Sequence, residues 1–365
     1  MSEASSSSES RYRASLDQTG QWLLASVAKG KGGSCAHYSP LLGWSNPYPE
    51  TTGYLVPTLL KLANYLDQPA YVAAAQRVGD WLLSIQNADG SWCGGLHPNK
   101  KPDGSVFNTG QILKGMTALY RHANEERYLA AALAGARWLA NGVNDDGLWP
   151  AGDYQANETP SYYTHVTWPM LEVWQASGDE AIKAAAIAVL ENFLQRRTDN
   201  GVFRRWGFGN SGPAFTHTIA YTIRGFQESA SLLDDYERYG APVEQALDTL
   251  LRIAELKGGA LSGAFDEMMK PTASYVCLTG NAQIAICLLL REQREPDLRL
   301  VNGAAKLLDY VCAVQRGRWF PPGMRGVAGS HPLWGGYMIM RYPNWAAKYH
   351  CDALMRLLHR LQQES

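Results

Sequence analysis

The chain of 365 residues carries 33 basic and 34 acidic side chains, a formal net charge of −1, so it lacks the basic excess of a nucleic-acid-binding surface. Hydrophobic residues at 46% against 18% charged exclude a disordered chain and leave ample material for a packed core. No apolar run approaches about 18 residues, so no membrane span is expected.

Residues 1–10, Met-Ser-Glu-Ala followed by a serine run, lack the apolar stretch of a secretory signal and read as a disordered tail. From residue 11 onward two kinds of helix alternate. The first kind ends in a turn rich in glycine and aromatics: GQWLLASVAKGKGG from Gly20, GDWLLSIQNADGSW from Gly79, ARWLANGVNDDGLW from Ala136, ENFLQRRTDNGVF from Glu191, LLRIAELKGGALSG from Leu250 and LDYVCAVQRGRWF from Leu308. Aligning Trp22, Trp81, Trp138, Phe193, Ile253 and Val311 gives spacings of 59, 57, 55, 60 and 58 residues. The Asp-Gly and Asn-Gly pairs supply tight-turn chemistry after these helices. The second kind includes PETTGYLVPTLLKLANYL from Pro49, FNTGQILKGMTALYRH from Phe107, YTHVTWPMLEVWQAS from Tyr163, THTIAYTIRGFQESASLL from Thr216, CLTGNAQIAICLLLR from Cys277 and YPNWAAKYHCDALMRLLHR from Tyr342. These are apolar around much of their circumference, as buried helices are. Each opens on polar residues, often Thr or Asn, that suit an N-cap.

Six pairs of about 58 residues fill the chain. One buried and one amphipathic helix per pair predicts two concentric layers, an all-α (α/α)6 toroid forming one domain over residues 11–365. An open solenoid is the competing arrangement. The last helix is as aromatic and apolar as the middle ones, which favours closure between the helices starting near Tyr48 and Tyr342.

In a closed ring the inner helices run parallel and their N-termini gather at one face, where dipoles and free N–H groups favour an anion. The approach to the first inner helix holds Trp44, Tyr48 and Glu50, and that to the second Trp92, Phe107, Asn108 and Gln111. The third holds Tyr162, Tyr163, His165 and Trp168, and the fourth His217, Tyr221 and Arg224. The fifth holds Asn281 and Gln283, and the sixth Tyr337, Arg341, Asn344 and Trp345. Each residue alone reads as a cap or satisfied polar group. Together they predict a funnel, because burying Gln283, Arg224 and Lys348 unpaired in apolar helices would cost several kcal/mol. Arg224 follows His217 by two turns and is expected to share its face and reach deeper.

Three enzymatic readings and one without catalysis follow, the first two with a substrate that is an oligosaccharide or polysaccharide. Proton abstraction at C5 of a uronate, giving epimerisation or elimination, needs proton carriers and a cradle for the carboxylate. His217, His165, Tyr163, Tyr221 and Tyr342 are candidate carriers, and Arg224, Arg341, Asn281, Asn344 and Gln283 the cradle. Trp44, Trp92, Trp168, Trp345, Tyr48, Asn108 and Gln111 are candidate sugar contacts. Glycoside hydrolysis instead needs two carboxyl groups. Glu50 is the first, with Asp89, Glu158, Asp266 and Asp352 as possible partners, although Asp352 follows Lys348 by four residues, the spacing of a helical ion pair. A glycan-binding protein without catalysis is a third reading, and an aromatic-lined terpenoid-type cyclase a fourth.

No metal or other cofactor is expected, since no His, Cys or carboxylate set has ligand spacing and there is no C-x-x-C pair. Cys287 and Cys351 lie within apolar helical patterns as small hydrophobes, and the six cysteines read as reduced, which with the missing signal suggests a cytoplasmic protein. Nothing in the sequence fixes an oligomeric state.

QNADGSW at 86–92 is similar to the Gln-Trp repeat of terpenoid-cyclase and protein-prenyltransferase toroids, but the cyclase motif Asp-x-Asp-Asp and the prenyltransferase zinc set are missing. NPYPETTGY at 46–54, SYVCLTGNAQIAI at 274–286 and RYPNWAAKYHCDAL at 341–354 resemble the VpsJ-type polysaccharide-biosynthesis proteins of bacterial exopolysaccharide loci. That resemblance implies work on a cell-surface polysaccharide or its precursor and supplies no catalytic residue. The architecture resembles, more distantly, six-hairpin glycosidases, N-acylglucosamine 2-epimerases and uronate lyases or epimerases, among which fold alone does not choose.

Overall fold

The computed structural model describes residues 3–99, 103–152, 159–209, 211–315 and 317–363, with side chains from Ser8 onward. The inner ring consists of α2 (Pro49–Leu66), α4 (Val106–Ala123), α6 (Thr164–Ser177), α8 (Thr216–Leu233), α11 (Leu278–Arg294) and α13 (Asn344–Gln362). The outer ring consists of α1 (Glu3–Lys29), α3 (Ala70–Ser84), α5 (Glu126–Asn141), α7 (Glu180–Leu194), α10 (Glu244–Leu256) and α12 (Leu298–Val314), with a single extra turn, α9 (Tyr236–Tyr239), before α10. Each inner helix packs on the next, and α13 returns to α2. Thr58 donates to Asp352 Oδ1 at 2.9 Å and Asn344 Nδ2 to Thr51 Oγ1 at 2.9 Å across this last contact, so the ring closes as a toroid.

Parallel inner helices approach closely because glycine faces the neighbour. A Cβ on Gly115 would lie 2.5 Å from the Gly53 carbonyl oxygen, and one on Gly225 would lie 2.4 Å from Thr164. The loops leading into the inner helices carry short strands. β1 (His37–Ser39) pairs antiparallel with β2 (Gly43–Trp44) and with β7 (Tyr342–Pro343), while β3 (Ala214–Phe215) pairs with β4 (Ala264–Phe265) and β5 (Val276–Cys277) with β6 (Ser330–His331). The β1–β7 pairing ties the loop before α2 to the loop before α13, a second fastening at the closure.

Two expectations are corrected. The expected tail is helical from Glu3, and its Glu9 pairs with Arg13 at 2.8 Å; Met1 and Ser2 lie outside the described residues. Of the aligned tryptophans, Trp22 is fully buried, while Trp81 and Trp138 are half-buried and pack against the core. The buried repeat anchor is the tryptophan of the following turn. Trp92 Nε1 donates to Leu82 O at 2.8 Å and Trp149 Nε1 to Leu139 O at 2.9 Å, and each indole's backbone N–H donates to a threonine, Thr109 or Thr159, at 3.0 Å. Lastly, the Thr and Asn at the inner-helix starts lie inside the first turn and do not cap. Among these six helices only Ser105 and Cys277 accept from the first turn through a side chain.

Candidate active site

A cavity of about 330 Å³ opens where the inner-helix N-termini converge, lined by Tyr48, Glu50 and Tyr54 from the α2 region, Phe107, Tyr162, Phe208, His217 and Tyr221, and Tyr337, Met338 and Trp345. His217 is in the first turn of α8 and only 4% exposed. Its Nδ1 lies 2.7 Å from Gln283 Oε1 on α11, an oxygen that can only accept, so Nδ1 carries the proton and Nε2 is left as a base. Burial lowers the His217 pKa to about 4, with the Gln283 bond opposing that shift. The imidazole is therefore neutral at pH 7. Its ring centroid lies 4.3 Å from that of Tyr221 and 5.4 Å from that of Tyr337.

The tyrosines are donors here. Burial first, then the neighbouring phenols and Glu50, push Tyr54, Tyr221 and Tyr337 well above the ordinary tyrosine range. Tyr337 OH accepts from Trp345 Nε1 at 2.8 Å, and Tyr221 OH accepts from Tyr349 OH at 3.3 Å. Glu50 is buried at 7% exposure and is the only carboxylate lining the cavity among the described residues. Met338 lies in a left-handed backbone conformation, φ 52°, uncommon for a side chain of its kind and held by the loop before α13.

Of the residues expected at the funnel, Tyr48, Glu50, Phe107, Tyr162, His217, Tyr221, Tyr337 and Trp345 meet at this cavity. His165 and Tyr163 lie one layer behind it. His165 is fully buried, stacked 4.1 Å from Tyr221, with Nδ1 2.9 Å from Gln111 Oε1, and Tyr163 packs between Phe107 and Trp149. Three asparagines latch loops to the ring: Asn108 donates to Cys93 O at 3.1 Å, Asn281 to Gly259 O at 2.6 Å and Asn344 to Ser34 Oγ at 2.7 Å. Gln111 and Gln283 hold histidines and do not line the cavity. Trp92 is core, Trp44 packs on Trp22 at 5.0 Å, and Arg341 is exposed.

Arg224 does not join His217. Two turns along α8 carry it past a partition formed by Tyr54, Tyr221, Tyr349 and His165, into a second cavity of about 400 Å³ that Trp168 also lines. The carboxyl partners expected for Glu50 are also elsewhere. Asp89 accepts from Ser91 N at 3.0 Å and Asp266 from Lys270 N at 2.8 Å, both within turns. Asp352 pairs with Lys348 at 2.7 Å in the second cavity, and Glu158 lies outside the described residues. Tyr54, Phe208 and Met338 complete the lining without an evident signal in the sequence, except that Tyr54 follows Glu50 by one helical turn.

No family model matches the sequence, and no curated protein matches it. Solved structures do match the fold. An unsaturated glucuronyl hydrolase specific for heparin superposes with a TM-score of 0.78 at 15% identity, over 97% of this chain and 98% of that one. The cellobiose 2-epimerase of Bacillus thermoamylovorans gives 0.76 at 13% identity, over 97% and 99%. A sugar epimerase from a ruminal bacterium gives 0.77 at 12% identity, over 96% and 98%. At these identities the likeness establishes the (α/α)6 toroid.

Proposed function

We infer that the chain is a carbohydrate-active enzyme that moves a proton at C5 of a uronate-containing glycan, as an epimerase or a lyase. The observation that carries this reading is the His217–Gln283 pair, which leaves a neutral imidazole nitrogen as a base in an aromatic-walled cavity. In this reading Nε2 takes the C5 proton. The tyrosine hydroxyls and converging helix N-termini hold the carboxylate and the enolate-like charge that builds on it, in place of the guanidinium expected from the sequence. Phe107, Phe208 and Trp345 offer apolar faces to the pyranose ring. Toroid neighbours that include sugar epimerases and glucuronyl hydrolases support a saccharide substrate. The VpsJ-type resemblance supports a substrate in exopolysaccharide assembly, and cysteines read as reduced suit a cytoplasmic setting.

A glycoside hydrolase built on Glu50 is the second reading, favoured by the burial of that carboxylate among the cavity aromatics. NMR of uronate oligosaccharides incubated with the protein in D2O separates the two. Solvent deuterium at C5 marks epimerisation, and new vinyl signals mark elimination. A new reducing end with no exchange at C5 overturns the proton-transfer reading in favour of hydrolysis.

A further inference from the structure

The second cavity, at the other end of the inner ring, is lined by six basic side chains, Lys61, Lys114, Arg121, Arg224, Lys348 and Arg356, against three carboxyl groups, Glu172, Glu228 and Asp352. Each carboxyl group has a partner already. Glu228 receives Arg224 at 3.1 Å, Asp352 receives Lys348 at 2.7 Å, and Glu172 lies 4.0 Å from Arg121 while accepting from Trp168 Nε1 at 3.2 Å. Among the described residues no carboxylate is left within salt-bridge reach of Lys61, Lys114 or Arg356.

Arg121 sits in the last turn of α4, where a cation complements the helix dipole. That explanation does not extend to Lys114 and Arg224, which are mid-helix and 5% and 3% exposed. Arg224 Nη1 is buried and has no hydrogen-bond partner. Lys114 Nζ lies 3.8 Å from the centre of one face of Trp168 and 2.8 Å from His165 Nδ1. Gln111 Nε2 donates to His165 O at 2.9 Å, so Gln111 Oε1 accepts from His165 Nδ1–H; an ammonium at Lys114 faces that donor at 2.8 Å and is left one neutral acceptor, His165 Nε2, at 3.4 Å. Burial, with Arg224 and Lys348 nearby, likewise holds the Lys114 pKa well below the ordinary lysine range. Lys114 is buried without a counter-ion, whereas Glu228 meets the Arg224 charge through Nε and Nη2 and leaves Nη1 bare.

We propose that this cavity is a binding site for a small oxyanion, a phosphate or carboxylate group of a soluble ligand, held by Lys114, Arg224 and Lys348 with Arg356 and Lys61 at its rim. It is separate from the chemistry of the upper cavity and does not depend on it. An oxyanion would supply the missing acceptor to Arg224 Nη1 and a charged acceptor to Lys114 Nζ through charge-assisted hydrogen bonds. Its arrival would also place a proton on Lys114.

Isothermal titration at low ionic strength with inorganic phosphate, with malonate and with neutral methyl glucoside tests this, and the Lys114→Met and His217→Ala variants separate an anion bound here from a carboxylate bound in the upper cavity. At least one anion is expected to bind with a dissociation constant of about 1 mM or tighter. Binding by phosphate alone identifies a phosphoryl ligand, and binding by malonate alone a carboxylate. Lys114→Met removes no partner from a carboxylate and should weaken binding at least about tenfold, equivalent to ~1.4 kcal/mol, with the melting temperature kept. Should that variant fail to fold, Arg356→Gln, nearer the surface, is expected to weaken binding in the same direction, and His217→Ala to leave it unchanged. Absence of binding by both anions at about ten times that concentration overturns the site. So does a folded Lys114→Met protein that binds as tightly as the native one.

Discussion

His217 Nδ1 and Gln283 Oε1 lie 2.7 Å apart, and this one contact between α8 and α11 sets which nitrogen of the imidazole carries the proton and which is left as a base. Since burial places the ring at about 4, the base is unprotonated from neutral pH down to that value. The free-enzyme kcat/KM profile is therefore expected to show no inflection near 6.5 and an acid limb near 4. Gln283→Glu puts a carboxylate beside the ring, favours its protonated form and should move that limb upward. A titration of kcat/KM in both proteins checks the shift.

Acid should destabilise the fold for the same reason. Burial lowers His217 to about 4 and His350 to about 3, and depresses His165 as well. Below 6.5 the unfolded chain binds protons that the folded chain does not. The stability held by these rings is complete above 6.5 and is lost as pH falls toward 4, at up to about 1.4 kcal/mol per ring per pH unit. Thermal melts from pH 8 to pH 4 should show a steady fall in melting temperature beginning near 6.5.

Asp352 is a buried carboxylate whose pKa the adjacent Lys348 holds below the ordinary range, and it also accepts from Thr58 across the ring closure. Asp352→Asn leaves Lys348 buried without its counter-ion and should cost about 3–5 kcal/mol. The double variant with Lys348→Met removes both charges and should cost less. Urea denaturation of the two proteins measures the difference.

The turn tryptophans bear on stability and not on the sugar. Trp92→Ala empties a fully buried site and removes the bond to Leu82 O, at an expected cost of about 3–5 kcal/mol. Trp22→Ala should behave alike, and Trp81→Ala, half-buried, should cost less. Calorimetry of the three variants tests the assignment.

The fold was legible because it repeats. A spacing near 58 residues, two helix types of different apolar circumference and a glycine turn after the first type are local signals, and they imply two rings. The site was only half legible. Glu50, Tyr48, His217, Tyr221 and Trp345 sit at inner-helix starts, and the toroid brings starts together. Arg224 was misplaced because helical periodicity reports direction and not depth. It shares a face with His217, but two turns of rise carry it beyond the tyrosine partition. Asn281 and Asn344 look like cradle residues in sequence and Asn108 like a sugar contact, yet backbone groups of the adjoining loops claim Asn108 and Asn281, and side chains of the α1–α2 region claim Asn344. Phe208 and Met338 come from irregular loops, where no periodicity tells which side chain turns inward.

Comparing His217→Ala with Glu50→Gln on a uronate oligosaccharide tests the proton-transfer reading most directly. The expected result is a loss of at least about 10²-fold in kcat for His217→Ala, with the melting temperature nearly unchanged, and a milder loss for Glu50→Gln. A Glu50→Gln protein that does not turn over, beside a His217→Ala protein of nearly native activity, would contradict it and assign the chemistry to the carboxylate.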